Sequence, residues 1–287
     1  CMDCGRPVHS GRRLAIVFRL AVLRGGRYLG RRSQLVSVRS RVELDGRWLR
    51  IVLDRPALRN ALDRAAWREL GRAVDQRDTS VRVISIEGGT HFCAGADIHE
   101  LRVHIHDREW MAENHEIVQR TQRSVFEAEV PTIAAIRGAC FGGGLGIATA
   151  CDLRLADDTA RFALTPIRLG LLYSPSDTQR LVRAVGLALA SDMLLTAREL
   201  DANAAERSGL VQRRCAAGEI DSQLLMLAQQ LAYGPRRALA GIKRTLQAVS
   251  AVPVDKSLDA LAMEAFGGEE FAAGAAAFVG KRSADFG

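Results

Sequence analysis

The run C-F-G-G-G-L-G-I-A-T-A-C-D at 140–152 constrains this chain more than any other stretch. Glycines at 142, 143, 144 and 146 leave the backbone bare, and an apolar, helix-like segment follows at once. A phosphate loop of the type G-x-x-x-x-G-K-[ST] is excluded, because no lysine follows. The dinucleotide pattern G-x-G-x-x-G, started at Gly144, fails at Thr149. Two readings remain. One is a tight strand-to-helix turn packed against a neighbour. The other is a helix N-terminus whose free N–H groups stabilise a developing oxyanion, provided a second N–H points at the same spot.

A partner for that second reading lies upstream, in H-F-C-A-G-A-D-I-H-E-L at 91–101. Its small residues Ala94, Gly95 and Ala96 again expose backbone just after a strand signal, V-R-V-I-S-I at 81–86. Residues 41–54 alternate apolar and polar around Asp45-Gly46, which predicts a hairpin. Leu62, Ala66, Leu70 and Val74 recur at near-helical spacing. A helix is predicted over 108–128, and strands over 132–136, 152–156 and 160–164. From about 176 the pattern is mostly helical. The chain therefore reads as an α/β core with a helical C-terminal part.

Charge narrows the partners. The net charge is +7, and residues 1–35 account for all of it, with eight arginines against one acid, Asp3. The remaining body is neutral, which excludes the broad positive field of a nucleic-acid binder. The leader 1–36 reads either as an Arg-rich transit peptide or as a segment outside the folded protein. The expected organisation is that leader, a core over 37–230 and a helical region over 231–287. No apolar run approaches membrane-spanning length, so no membrane association is expected. Six scattered cysteines, Cys1, Cys4, Cys93, Cys140, Cys151 and Cys215, suit reduced thiols in the cytoplasm better than a disulfide framework. Cys1-x-x-Cys4 lacks the second pair of a zinc site. His104-x-His106, with His99, His91 and His115 nearby, lacks an accompanying carboxylate–histidine motif and reads as a solvated, mobile loop over the pocket rather than a metal site.

The paired small-residue turns A-G-A-D-I and G-G-G, the second followed by an apolar helix and Cys-Asp, resemble the crotonase (enoyl-CoA hydratase/isomerase) superfamily. The likeness runs over about 40–287 and includes D-R-P-A-L-R-N-A-L-D at 54–63, R-S-G-L-V at 207–211 and E-E-F-A-A-G-A-A-A-F-V-G-K-R-S-A-D-F at 269–286. The resemblance implies a spiral of β-β-α turns with a C-terminal helical region for assembly into a homotrimer or hexamer. It implies an acyl-CoA thioester substrate, with coenzyme A as part of the substrate and no separate cofactor or metal. The oxyanion N–H groups it implies are those of Ala96 and Gly143. The surrounding substrate-binding positions are Leu58, Arg59, Asp97, Ile98 and Gly142, and Arg59 and Lys281 are candidate partners for CoA phosphates.

The sequence departs from the family where chemistry matters. Hydratases of this family carry one glutamate at the position of Gly146 and another at that of Pro166. Neither Gly nor Pro can move a proton. The expected reaction is therefore decarboxylation of a malonyl- or methylmalonyl-type CoA, in which loss of CO₂ gives the enolate without a base. The stretch F-A-L-T-P-I-R-L-G-L-L-Y-S at 162–174 resembles the methylmalonyl-CoA decarboxylases of the family and places Tyr173 at their proposed catalytic tyrosine. Those decarboxylases differ in having a bulkier residue at Ala96 and a glutamate at Gly146. Tyr173 also reads as a rim residue packing the acyl pocket. Asp177 reads as a first-turn carboxylate of a helix capped by Ser174 or Ser176. Pointed inward, it would serve as the displaced acid/base of a hydratase or isomerase. A non-catalytic acyl-CoA-binding protein is the third reading.

Overall fold

The computed structural model describes residues 37–249, 257–282 and 284. The leader and its Cys1-x-x-Cys4 pair lie outside the described residues. The strands are β1 Val38–Glu43, β2 Trp48–Leu53, β3 Val83–Glu87, β4 Thr132–Ile136, β5 Ala139–Phe141, β6 Leu153–Asp157, β7 Arg161–Ala163, β8 Leu200–Asp201 and β9 Arg213–Cys215. The helices are α1 Arg64–Asp75, α2 Ile98–Val103, α3 Arg108–Glu127, α4 Gly143–Ala150, α5 Pro175–Thr196, α6 Ala202–Arg207, α7 Ile220–Ala232, α8 Arg236–Val249, α9 Ser257–Phe266 and α10 Glu269–Val279.

The expected hairpin is β1–β2, antiparallel with Val38 opposite Leu53 and Glu43 opposite Trp48. Leu44, Asp45 and Gly46 close it, all at positive φ. From β2 onward the larger sheet is parallel, in the order β1-β2-β3-β4-β6-β9. Its inner strands β3 and β4 are buried at every position, as parallel strands covered on both faces must be. A smaller sheet, β5-β7-β8, stands beside it.

The chain alternates between the two sheets. β4 is followed by β5 and then α4, and β6 by β7 and then α5. An isolated parallel bridge between Cys93 and Cys140 makes β3, Cys93 and α2 a third turn of the same kind. These repeats form the expected spiral of β-β-α turns. Each turn delivers a strand end and a helix N-terminus to the same edge, so the turns before α2 and α4 meet.

The late part of the chain is less uniformly helical than its pattern predicts. The short strands β8 and β9 interrupt it, because Leu200 and the 213–215 segment find edges of the two sheets to pair with. α10 packs back onto the chain through Phe271 and Ala275, which join Leu101, Met111 and Leu169 in one buried cluster.

Candidate active site

The site begins with two backbone amides. Gly142 is held at φ 48, ψ −117 as the residue before α4. Its N–H donates to Ala163 O, and its carbonyl accepts from Gly146 N. That leaves Gly143 N at the helix start with no acceptor among the described residues. The opposing turn is pinned just as firmly. Cys93 N donates to Ala139 O and Phe141 N to Cys93 O, while Leu62 N donates to Gly95 O and Asp97 N to Leu62 O. Ala96 N, between those bonds, also has no acceptor among the described residues. A methyl on Gly95 would sit 3.3 Å from Gly143 N, and one on Gly143 would sit 3.8 Å from Ala96 N. The two free N–H groups therefore share one small space, and both residues are half-buried. The oxyanion reading requires this convergence, and the turn is also packed on its neighbour, because a Cβ on Gly144 would collide with Cys93 O.

Gly95 has to be glycine. Its φ of +101 is open only to residues without a Cβ, and a Cβ would press on Phe141 O at 3.0 Å.

Gly146, one helical turn beyond Gly143, faces a side-chain cluster. A Cβ there would collide with Gln122 Nε2, and it would lie 2.9 Å from Asp177 Oδ1 and 3.2 Å from the Tyr173 hydroxyl. Asp177 is 3% exposed. Its Oδ1 pairs with Arg180 Nη2 at 2.5 Å, and its Oδ2 accepts from Ser174 Oγ at 2.6 Å. Ser174 is the N-cap of α5 and its Oγ accepts in turn from Asp177 N at 3.1 Å. The first-turn reading of Asp177 is thus realised. It occupies the first turn of α5, and it points at Gly146.

Arg180 Nη2 also donates to Gln122 Oε1 at 3.1 Å. Gln122 Nε2 and Arg180 Nε are buried without a partner among the described residues. Tyr173 donates to Gly142 O at 3.3 Å. Burial, and then the Asp177 carboxylate, hold its phenol well above the ordinary tyrosine range. Tyr173 is therefore a neutral hydrogen-bond donor and a poor source of a departing proton.

The remaining expected positions divide. Leu58 and Arg59 are exposed on a loop that ends a 3-10 turn, with Arg59 at φ 50 and its carbonyl accepting from Ala94 N. That loop abuts the Ala96 turn. Asp97 is the N-cap of α2, accepting from His99 N and Glu100 N, and it pairs with Arg55 at 3.0 Å. Its carboxylate is occupied in holding the turn. Ile98 packs against the cluster of Leu101 and Phe271. Lys281 is exposed just after α10 at φ 51.

Several other sequence candidates take structural places. Asp152 accepts from Thr132 N and Oγ1 and pairs with the buried Lys243 at 2.8 Å. The histidine stretch is not one loop. His99 lies in α2, and His104 stacks on Trp110 with ring centroids 4.1 Å apart. No group of three or more metal-ligating residues occurs among the described residues. Burial pushes the Cys93 thiol up to about 12, so it is no thiolate nucleophile beside the turn.

Gln122 and Arg180 were missed in the sequence. Arg180 carried a legible signal, because it lies three positions after Asp177 on one helix face. Gln122 carried none, since it reaches Gly146 only when α3 packs on α4.

The spiral of β-β-α turns, with two unpaired amides converging where two of its turns meet, has the architecture of the crotonase superfamily. The profile of the family described as Enoyl-CoA hydratase/isomerase matches residues 47–287, and the chain belongs to that family. A protein named "Probable enoyl-CoA hydratase" from Rhizobium meliloti (strain 1021) is 36% identical over 252 residues, covering 85% of this chain and 96% of the relative. The 2,3-dehydroadipyl-CoA hydratase of Escherichia coli (strain K12) is 32% identical, covering 84% and 95%. Among solved structures, an enoyl-CoA hydratase from Mycobacterium avium subsp. paratuberculosis K-10 matches with a TM-score of 0.73 at 26% identity, over 88% of this chain and 99% of that one. Methylmalonyl-CoA decarboxylase in complex with 2-nitronate-propionyl-CoA matches with a TM-score of 0.78 at 22% identity, over 88% and 98%, and shares the fold.

Proposed function

We propose that this chain hydrates a 2-enoyl-CoA thioester, with Asp177 as a displaced acid and base. One observation carries the reading. Asp177 Oδ1 comes within 2.9 Å of the point where a side chain on Gly146 would begin. A carboxylate from α5 thus stands, with the nearer Gln122 amide, beside the space that the missing glutamate of α4 leaves open. The relatives named as hydratases weigh on the same side, against the decarboxylation expected from the sequence.

In this mechanism Ala96 N–H and Gly143 N–H hold the thioester oxygen. Asp177 takes a proton from water as the water oxygen bonds to the β-carbon. The double-bond electrons move to the thioester oxygen, where the two amides stabilise the negative charge. Asp177 then returns the proton to the α-carbon, so water is added and the carboxylate is regenerated. Tyr173 stays neutral throughout. Its bond to Gly142 O steadies the turn that presents Gly143 N.

A second reading has its own support. Both oxygens of Asp177 are engaged, by Arg180 and by Ser174, so it must give up a bond before it can take a proton. Decarboxylation needs no base, and a neutral Tyr173 suits the carboxylate of a malonyl-type substrate. The test is an endpoint mass measurement with crotonyl-CoA and methylmalonyl-CoA in parallel. Gain of one water on the first supports hydration. Loss of CO₂ from the second, with the first unchanged, overturns it in favour of decarboxylation. Binding of both without change would identify a non-catalytic acyl-CoA-binding protein.

A further inference from the structure

Gln122 is the side chain nearest to Gly146, and it takes no part in the proton transfers proposed for Asp177. It stands on α3 and is fully buried. Arg180 Nη2 donates to its Oε1 at 3.1 Å. A guanidinium only donates, so this bond fixes which end of the amide is the oxygen. The NH₂ end therefore faces Gly146. That nitrogen is buried with no acceptor among the described residues. An amide donor buried unpaired costs free energy, and Arg180 holds this one in place regardless.

Three polar atoms converge beside Gly146. The start of a side chain there would meet Gln122 Nε2 first, then Asp177 Oδ1 at 2.9 Å and the Tyr173 hydroxyl at 3.2 Å. Gln122 Nε2 and Asp177 Oδ1 make no bond to each other, although the same Arg180 Nη2 holds both residues. A donor and an acceptor set this close and left unjoined are the ends of a bridge through one oxygen. The place is continuous with the oxyanion turn. The Tyr173 hydroxyl that borders it also donates to Gly142 O, one residue before Gly143. Along α4 the step from Gly143 to Gly146 is about 4.5 Å by helical rise. Four bonds separate a thioester oxygen from an oxygen on the β-carbon, a reach of the same order.

We infer that Gln122 is a catalytic residue whose Nε2 donates to an oxygen at the acyl β-carbon, first as the attacking water and then as the 3-hydroxyl of the product. This role rests on the hydration reading and deepens it. The water accepts from Gln122 Nε2 on one lone pair and gives one hydrogen toward Asp177. Its second lone pair forms the bond to the β-carbon as that O–H bond breaks. The proton passes to Asp177, which gives up one of its own bonds to take it. Gln122 neither gains nor loses a proton. It fixes the direction of attack, and it keeps its hydrogen bond to the same oxygen once water is added.

Acetoacetyl-CoA carries an oxygen on carbon 3 that hydration can neither add nor remove, and butyryl-CoA lacks it. Both are titrated calorimetrically into the full chain. The 3-oxo thioester is expected to bind wild type about tenfold tighter, the yield of one hydrogen bond in a buried site. In Gln122→Glu, which keeps the shape and an acceptor for Arg180 but exchanges Nε2 for an oxygen, that ratio falls to near one. Gln122→Met, which has the length and no donor, shows the same fall. Thermal melting checks that each variant is folded, and butyryl-CoA gives its reference affinity. A ratio near one in wild type overturns the role, and so does a ratio that persists in either folded variant. Rates give an independent readout. On crotonyl-CoA, kcat should fall about tenfold in Gln122→Met with KM unchanged, because that substrate has no oxygen on carbon 3. A raised KM with kcat unchanged overturns the role. Water addition by wild type is read separately. If it fails while the ratio collapses in the variants, the hydration reading falls and the donor to a 3-oxygen stands. If it succeeds while the ratio persists, the hydration reading stands and the donor falls.

Discussion

Two helix N-termini face the reaction site, and they solve the same problem in opposite ways. α4 starts with Gly143 and has no side-chain cap, so its first amide is left for a ligand. α5 starts with Ser174, Pro175, Ser176 and Asp177, and its serine cap satisfies the amide of Asp177. The first helix offers backbone and withholds side chains. The second consumes its own backbone donor and offers a carboxylate. The difference teaches where the chemistry of this chain resides. In the proposed reaction, stabilisation of the oxyanion belongs to α4 and proton handling to α5.

Substitutions can break that division at either helix. The largest effect is expected at α5, where Asp177→Asn should lower the hydration rate by about 10²–10⁴-fold, the usual contribution of a positioned acid/base. Steady-state kcat on crotonyl-CoA reads it. At the α4 side, Gly95→Ala pushes a methyl toward Gly143 N and strains a residue at φ +101. Crowding of that donor should cost about 10²–10³-fold in kcat, and thermal melting should show the accompanying loss of stability from the strained backbone. Tyr173→Phe removes one hydrogen bond and should cost about tenfold. It should leave the alkaline side of the rate profile unchanged. A raised phenol value keeps the neutral form present, so the wild-type rate should not fall through phenolate formation as pH rises toward the ordinary tyrosine value. The smallest effect is on packing. Gly146→Ala overfills the space taken by Gln122 and should destabilise by about 1–3 kcal/mol, measured by denaturant unfolding. Gln122→Ala beside it should recover most of that loss.

Much of the fold is legible in local pattern. The hairpin around Asp45-Gly46, helix α1 from Ala66, Leu70 and Val74, and the mostly apolar strands β3 and β4 each follow from spacing alone. The free amides are legible for the same reason, since runs of small residues mark exposed backbone wherever they occur. The short strands β8 and β9 are not. Three-residue and two-residue segments have too little pattern of their own and form because a sheet edge is waiting. The proton-handling cluster is half legible. Ser174, Asp177 and Arg180 are neighbours on one helix, whereas Gln122 joins them through packing between α3 and α4. The loss of glutamates at Gly146 and Pro166 was readable, but its consequence was not. Whether Asp177 turned inward depended on the tertiary approach of α5 to α4.

The oxyanion donors of this chain are main-chain groups. No codon at position 96 or 143 specifies an amide, and only proline removes one, so most single changes there leave the donor in being. The proton-handling group enjoys no such protection, because one base change can erase a carboxylate. A scaffold built this way can retain its electrophile-activating half while the reactive half wanders from helix to helix.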